Sequence, residues 1–245
     1  MQKTHLTLVA LLFLFLTNAC TVTRLNKNPE FLYNQAVASA AYPEKSKIAT
    51  NLLALSKTTP NLQWKTIEGE EYVLVSTWTS EQNIKYYPAS GTYNTGKYPI
   101  WVTLNPELKE RYKSFKINKK DDPSPRLKQL LGLPPNVSKT HFVEFWVKPS
   151  DVFRPCPDNE ITDNSCGLCF PENTSEEYRQ WVNQLRLDSY YNCKGDKYPW
   201  TQLGYTYDWN PKNKSHVGVS EFVIKQNSTI YVNKIIKTVE YLSEK

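Results

Sequence analysis

The chain has 245 residues, 40% of them hydrophobic and 22% charged, with a formal charge of +6. That balance supports a buried core of useful size and excludes an intrinsically disordered chain. With 7 Trp and 16 Tyr against 8 Gly, much of the core is expected to come from large rings with polar tips.

The first nineteen residues read as a signal peptide. Lys3 supplies the positive n-region, and Leu6 to Leu16 is apolar except for Thr7. A bilayer-spanning helix needs about twenty apolar residues, roughly twice this run. The apolar run ends at Leu16-Thr17-Asn18-Ala19-Cys20. This stretch resembles the lipobox of bacterial lipoproteins, in which a leucine and small residues precede a cysteine that becomes lipidated; here the leucine stands one place further from the cysteine. The resemblance implies an acyl chain such as palmitate on Cys20, with the membrane as partner through that lipid. Thr21 stands where inner-membrane retention usually wants aspartate, so the resemblance further implies the outer membrane, facing the periplasm. An ordinary signal cleaved nearby, leaving Cys20 as a thiol or removing it, is the alternative.

Residues 20–41 read as an extended tether, since Pro29 and scattered polar residues break any periodicity. Residues 42–245 read as one globular domain. Tyr42 to Ser56 is expected to be a helix, with Pro43 in its first turn and Ile48, Leu52, Leu53 and Leu55 on its apolar side. Two alternating segments flank Glu68-Gly69-Glu70, the pattern of a β-hairpin. "YPIWVTLNP" is a strand leading to Asn105-Pro106, expected to cap and begin a helix bearing Leu108, Tyr112 and Phe115. A short helix from Ser124-Pro125 ends at Gly132 and Pro134.

"THFVEFWVKP", nearly all aromatic or β-branched, is the plainest strand in the chain. Thr174 and Glu177 form an expected capping box, opening a helix with Tyr178, Trp181, Val182 and Leu185 at helical spacing. The segment from His216 gives two further strands joined at Gln226-Asn227-Ser228. Irregular interleaving of strands and short helices predicts an α+β fold with a largely antiparallel sheet and a disulfide-braced loop.

Beside Cys20, the thiols are Cys156, Cys166, Cys169 and Cys193. In an oxidising compartment four thiols read as two disulfides, with three possible connectivities. Only Cys166-Gly-Leu-Cys169 has metal-like spacing, and it lies between Pro157 and Pro171 rather than at a helix start, so neither a metal site nor a redox motif is expected.

The densest aromatic cluster is "YPWTQLGYTYDWN". Trp200, Tyr205, Tyr207 and Trp209 offer flat faces and Asp208 an acceptor, a combination suited to glycan or peptide recognition or to filling a core. Arg154 and His141 complete the candidate binding residues. His141 and Glu144 stand three apart on a strand, hence on opposite faces. Ser220 lacks the second glycine of a nucleophile elbow, with Phe222 in its place. Asp158, Glu160 and Asp163 lack the calcium-loop pattern. No phosphate-cradling or dinucleotide motif is present.

No catalytic set, metal or cofactor is therefore expected. Because the chain leaves the cytoplasm, nucleic acid is not an expected partner, and Lys113, Lys116, Lys119 and Lys120 read as a solvated helix end. The expectation is a lipid-anchored envelope protein with a non-catalytic glycan- or protein-binding role. The alternative is an envelope hydrolase assembled from His141 or His216 with carboxylates such as Glu144, Asp158, Asp208 or Glu221, and with Arg154 holding an anionic group. The sequons at Asn136, Asn173, Asn213 and Asn227 leave a eukaryotic secreted protein open as a third reading.

Overall fold

A computed structural model describes residues 28–118 and 120–244. The expected signal peptide, Cys20 and the first part of the tether lie outside the described residues.

Regular structure begins inside the expected tether. Pro29–Ala40 is a helix, α1, and not an extended segment. Asn28 Oδ1 accepts from the Glu30 N–H at 2.9 Å. Pro29 sits in the first turn, where a missing N–H costs nothing, so it starts the helix rather than breaking it. Tyr33, Ala36, Val37 and Ala40 follow helical spacing and are buried.

Residues 42–56 correct the sequence reading in the opposite direction. Only a 3-10 turn forms, at Lys45–Lys47, and the chain then runs without regular structure. Its backbone groups are taken by distant segments. The Leu52 N–H donates to Asn164 O at 2.9 Å and that of Leu55 to Ile161 O at 2.6 Å. The Leu53 N–H donates to Ser220 Oγ at 2.8 Å. A buried backbone satisfied this way has no need of a helix.

The fold is α+β, as expected. Eight strands form an antiparallel sheet: β1 (Trp64–Ile67), β2 (Glu70–Thr79), β3 (Gly91–Asn94), β4 (Ile100–Leu104), β5 (His141–Val147), β6 (Val152–Phe153), β9 (Phe222–Ile224) and β10 (Thr229–Lys237). A separate pair joins β7 (Tyr205–Tyr207) to β8 (Val217–Ser220). The remaining helices are α2 (Glu81–Ile84), α3 (Glu107–Ser114), α4 (Ser124–Leu130), α5 (Glu176–Arg186) and α6 (Thr238–Ser243).

The hairpin expected at Glu68-Gly69 joins β1 to β2, and both turn residues have positive φ, as the tight hairpin turn requires. Sheet order along the path is β3-β10-β5-β2-β4-β9-β6. β3 and β4 belong to one run of chain, and β9 and β10 to another. Between the strand pairs the two runs stay bonded, Thr95 N–H to Ser228 O at 3.0 Å and Asn227 N–H to Gly96 O at 2.7 Å. Since β4 also pairs β2, and β10 pairs β5, which pairs β2, the ladder returns on itself. Gly96 and Asn227, both at positive φ, let the two runs bend together. The Gln226-Asn227-Ser228 turn is thus a bend in a continuing run, not a hairpin.

Closure explains the main core. Val73 and Val75, Val102 and Leu104, Val143, Phe145 and Val147, Phe222 and Ile224, and Ile230 and Val232 pack as one cluster. Each set alternates along its strand, as period-two geometry demands of a face turned inward.

Two expected caps are placed differently. Asn105 does not cap α3: the Asn105–Pro106 bond is cis, Pro106 holds the cap position without a side-chain bond, and Asn105 Nδ2 donates to Glu144 Oε1 at 2.8 Å. The cap of α5 is Ser175, one residue after Thr174, and its Oγ accepts from the Tyr178 N–H at 3.3 Å. The apolar stripe of α5 does face the interior, with Val182 buried and Tyr178, Trp181 and Leu185 packed beside it.

Among the described residues one disulfide forms, between Cys156 and Cys166. The expectation of two bridges is corrected to one there, since Cys169 and Cys193, on either side of α5, are both free, exposed thiols. Among the described residues no helix is long and apolar enough to cross a membrane.

Candidate binding cleft

A cleft of about 1190 Å³ lies between the strand ladder and the segment from the end of α5 to β7. On the ladder side, β2 contributes Ser76, Thr77 and Trp78, and β4 with its approach contributes Tyr98, Pro99, Trp101 and Thr103. Tyr86 and Tyr87 after α2 and Tyr93 on β3 extend this wall. The facing wall carries Asp188, Ser189, Asp196, Tyr198, Pro199, Trp200, Thr206, Tyr207 and Glu221.

Local structure explains why these side chains reach the cleft. After α5 the helix widens into a π turn at Leu187–Tyr191, a form frequent at functional sites. Tyr198 N–H then donates to Ser189 O at 3.0 Å, drawing the following loop back against the turn. Trp200 is fixed by its Nε1–H, donated to Pro155 O at 3.0 Å. Tyr190 donates its hydroxyl to Trp200 O and accepts from Gln202 Nε2 at 3.0 Å. The floor is therefore held by hydrogen bonds, while the rim is solvated: Tyr86, Tyr98 and Tyr198 are 63%, 68% and 40% exposed.

Glu221 is the distinctive group. It stands between β8 and β9, where its N–H donates to Gly204 O at 3.0 Å. Its side chain keeps some exposure to the cleft, yet Oε2 is enclosed and finds no hydrogen-bond partner among the described residues. Burial disfavours the ionised form and pushes its pKa up to about 8. Lys139, also on the cleft, is shifted downward by burial.

Its neighbour Ser220 faces the other way. The Ser220 N–H and Oγ–H both donate to Glu107, at 2.9 Å and 3.1 Å to Oε1. Burial raises the Glu107 pKa to about 7 against the pull of those bonds and of Arg111 and Arg154. Ser220 thus ties α3 and residue 53 to β8, and has no histidine partner among the described residues.

Of the expected binding residues, Trp200 and Tyr207 line the cleft and the other five do not. Tyr205 is buried, its hydroxyl donated to Lys47 O at 2.9 Å. Asp208 is buried in a two-point pair with Arg126, at 2.9 Å and 2.6 Å. Trp209 packs edge-on to Tyr33 and donates to Leu133 O at 3.1 Å. Arg154 is fully buried and donates to the backbone carbonyls of Glu160, Leu53 and Asp163. His141 stays on the sheet, its Nδ1 2.9 Å from Thr140 Oγ1.

Nor does the structure assemble the histidines with carboxylates. Glu144, on the opposite face from His141, is buried and receives Asn105 and Asn233. His216 stacks on Tyr207 and meets only the backbone oxygen of Asp208. Glu160 folds onto its own turn, accepting from Ile161 and Thr162. Among the described residues no group of three His, Cys, Asp or Glu is placed to hold a metal ion.

The sequence carried a signal for the rest of the cleft. Lys-Tyr-Pro occurs at 97–99 and again at 197–199, followed by Trp101 in one copy and Trp200 in the other. Tyr, Pro and Trp of both copies line the cleft. Comparison of the chain with protein-family models, curated proteins and solved structures finds no match. The fold and cleft therefore define a class only by their own features: an α+β protein with a self-closing antiparallel ladder and an aromatic-walled cleft.

Proposed function

We propose that this is a lipid-anchored envelope protein whose cleft binds a glycan without chemically altering it. The anchor rests on the lipobox resemblance at Cys20. Each buried methylene of an acyl chain contributes about 0.8 kcal/mol, so several chains hold a protein at a membrane durably. Thr21 favours the outer membrane over the inner. Replacing Cys20 by Ser and fractionating cells checks this: the variant is expected in the soluble fraction, and unchanged membrane association would remove the anchor.

What supports glycan binding is the cleft itself. Exposed rings of Tyr86, Tyr98 and Tyr198 stand around a cleft whose accessible polar side chains include Thr77, Asn83, Asp188, Asn192 and Asp196. Flat apolar faces with interspersed polar groups match the alternating apolar faces and polar edges of a sugar chain. The full-length protein, purified in detergent, is expected to bind short envelope-type oligosaccharides. Replacing Tyr98 and Tyr198 by Ala together is expected to weaken binding at least tenfold with little change in stability. Oligosaccharide titrations with no heat or fluorescence response would refute the reading.

A second reading, an envelope hydrolase, is favoured by one observation. Glu221 has a pKa near 8, and a general acid must hold its proton at neutral pH. It would act without His141 or His216, which lie away from the cleft lining. Release of new reducing ends from a bound oligosaccharide, abolished by Glu221→Gln, separates this reading from simple binding.

A further inference from the structure

The cleft differs in charge from the rest of the molecule. The chain carries +6 overall, yet the carboxylates Asp188 and Asp196 face the cleft against Lys139 alone, with Glu221 as a further acidic group. Lys85 and Lys97 stand over Tyr86 and Tyr98, at 5.1 Å and 5.3 Å from the ring centres, and mark its rim. Trp101, Tyr198, Trp200 and Tyr207 have no such cation over them among the described residues.

Elsewhere the protein fills such positions itself. Lys57 lies 4.2 Å from the Trp64 ring centre, and Lys109 lies 4.2 Å from that of Tyr241 while bonded to Glu244 at 2.7 Å. A ring with a nearby carboxylate is thus a lysine's place in this fold. In the cleft the rings and an acidic side chain are present, and Glu221 Oε2 has no partner among the described residues. A buried carboxyl oxygen left without a partner costs free energy until one arrives.

Resting on the glycan-binding reading, we propose that the ligand is an amino-sugar chain. Its protonated amine is received by Glu221, which releases its own proton to solvent as the ion pair forms, with the neighbouring aromatic faces and the rim carboxylates Asp188 and Asp196 supplying further attraction. Ring quadrupoles attract cations, and a desolvated ammonium–carboxylate contact is charge-assisted on both sides. A neutral N-acetylated sugar satisfies the rings but brings no positive charge to Glu221. Lys139 adds selectivity by repelling a second ammonium brought close to it.

The test compares a glucosamine tetramer with an N-acetylglucosamine tetramer, by calorimetric titration of the full-length protein at neutral pH. The amino form is expected to bind at least tenfold more tightly. Glu221→Gln, nearly isosteric, is expected to abolish that preference by weakening binding of the amino form. Asp196→Asn, in an exposed loop with no risk to the core, is expected to narrow the preference severalfold. Equal affinity for the two tetramers in the wild-type protein overturns the amine inference and leaves glycan binding standing. A preference that survives Glu221→Gln unchanged also overturns it. Binding of neither tetramer overturns the glycan reading and this inference together.

Discussion

Two interiors meet at the cleft, and different forces hold them. The closed ladder is filled by valine, leucine, isoleucine and phenylalanine from alternating strand positions, a core held by burial and close packing. The layer between α1, α5 and residues 200–209 is filled by rings whose polar tips are tied to backbone carbonyls far away in sequence. Tyr33 donates to Lys197 O at 2.7 Å, Tyr178 to Cys156 O at 2.9 Å and Trp209 to Leu133 O at 3.1 Å. Burial is non-directional, whereas these bonds fix each ring's orientation. The layer that needs a fixed shape to form a cleft wall is the one built from directional contacts.

Breaking each interior by its own weak point sharpens that contrast. Phe145→Ala in the ladder is expected to cost about 3–5 kcal/mol, the usual range for a buried Phe, read by denaturant unfolding. A loss below about 1 kcal/mol would mean that the ladder collapses around the gap and is not close-packed. Arg126→Ala strands the Asp208 carboxylate, 1% exposed, without its partner. Uncompensated buried charge typically costs about 3 kcal/mol, and the double variant with Asp208→Asn should recover part of it.

Glu221 gives a pH signature. Its folded pKa of about 8 exceeds the ordinary 4.5, so between those values the native state holds a proton that the unfolded chain has released. Stability from this group is full at pH values below 4.5 and is lost as pH rises toward 8. Allowing for the side chain's remaining contact with the cleft, the loss is about 2 kcal/mol. Glu107, raised to about 7, slopes the same way. The check is therefore the difference between wild type and Glu221→Gln, whose stability should fall less with pH. The smallest effect is expected from Tyr178→Phe, which keeps the ring and removes its bonds to Cys156 O and Arg154 O. A loss of about 1–1.5 kcal/mol in thermal unfolding supports the directional account of the aromatic layer; none would make that layer an ordinary apolar core.

Much of the strand framework was legible in sequence because its signals are local. Glu68-Gly69 between alternating segments, the β5 run and the stripe on α5 each satisfy one element's own geometry. The readings that failed concern choices settled from outside the element. Residues 42–56 have helical spacing, but the loop at 161–164 and Ser220 take their backbone groups. Pro29 is ambiguous until Asn28 is seen to cap. Among the expected binding residues, Tyr205 and Trp209 resemble Trp200 and Tyr207 in chemistry, and Asp208 lies among them in sequence. Only the positions of Lys47, Arg126 and Leu133 decide that three of them are sealed.

The sequence by itself determined the α+β class, the main strands and the wealth of rings, because periodicity and turn chemistry act over a few residues. Tertiary structure alone decided the closure of the ladder, the Cys156–Cys166 disulfide, and which rings face a cleft beside Glu221. Those outcomes depend on groups brought together from distant parts of the chain, and separation in sequence carries no record of their directions in space.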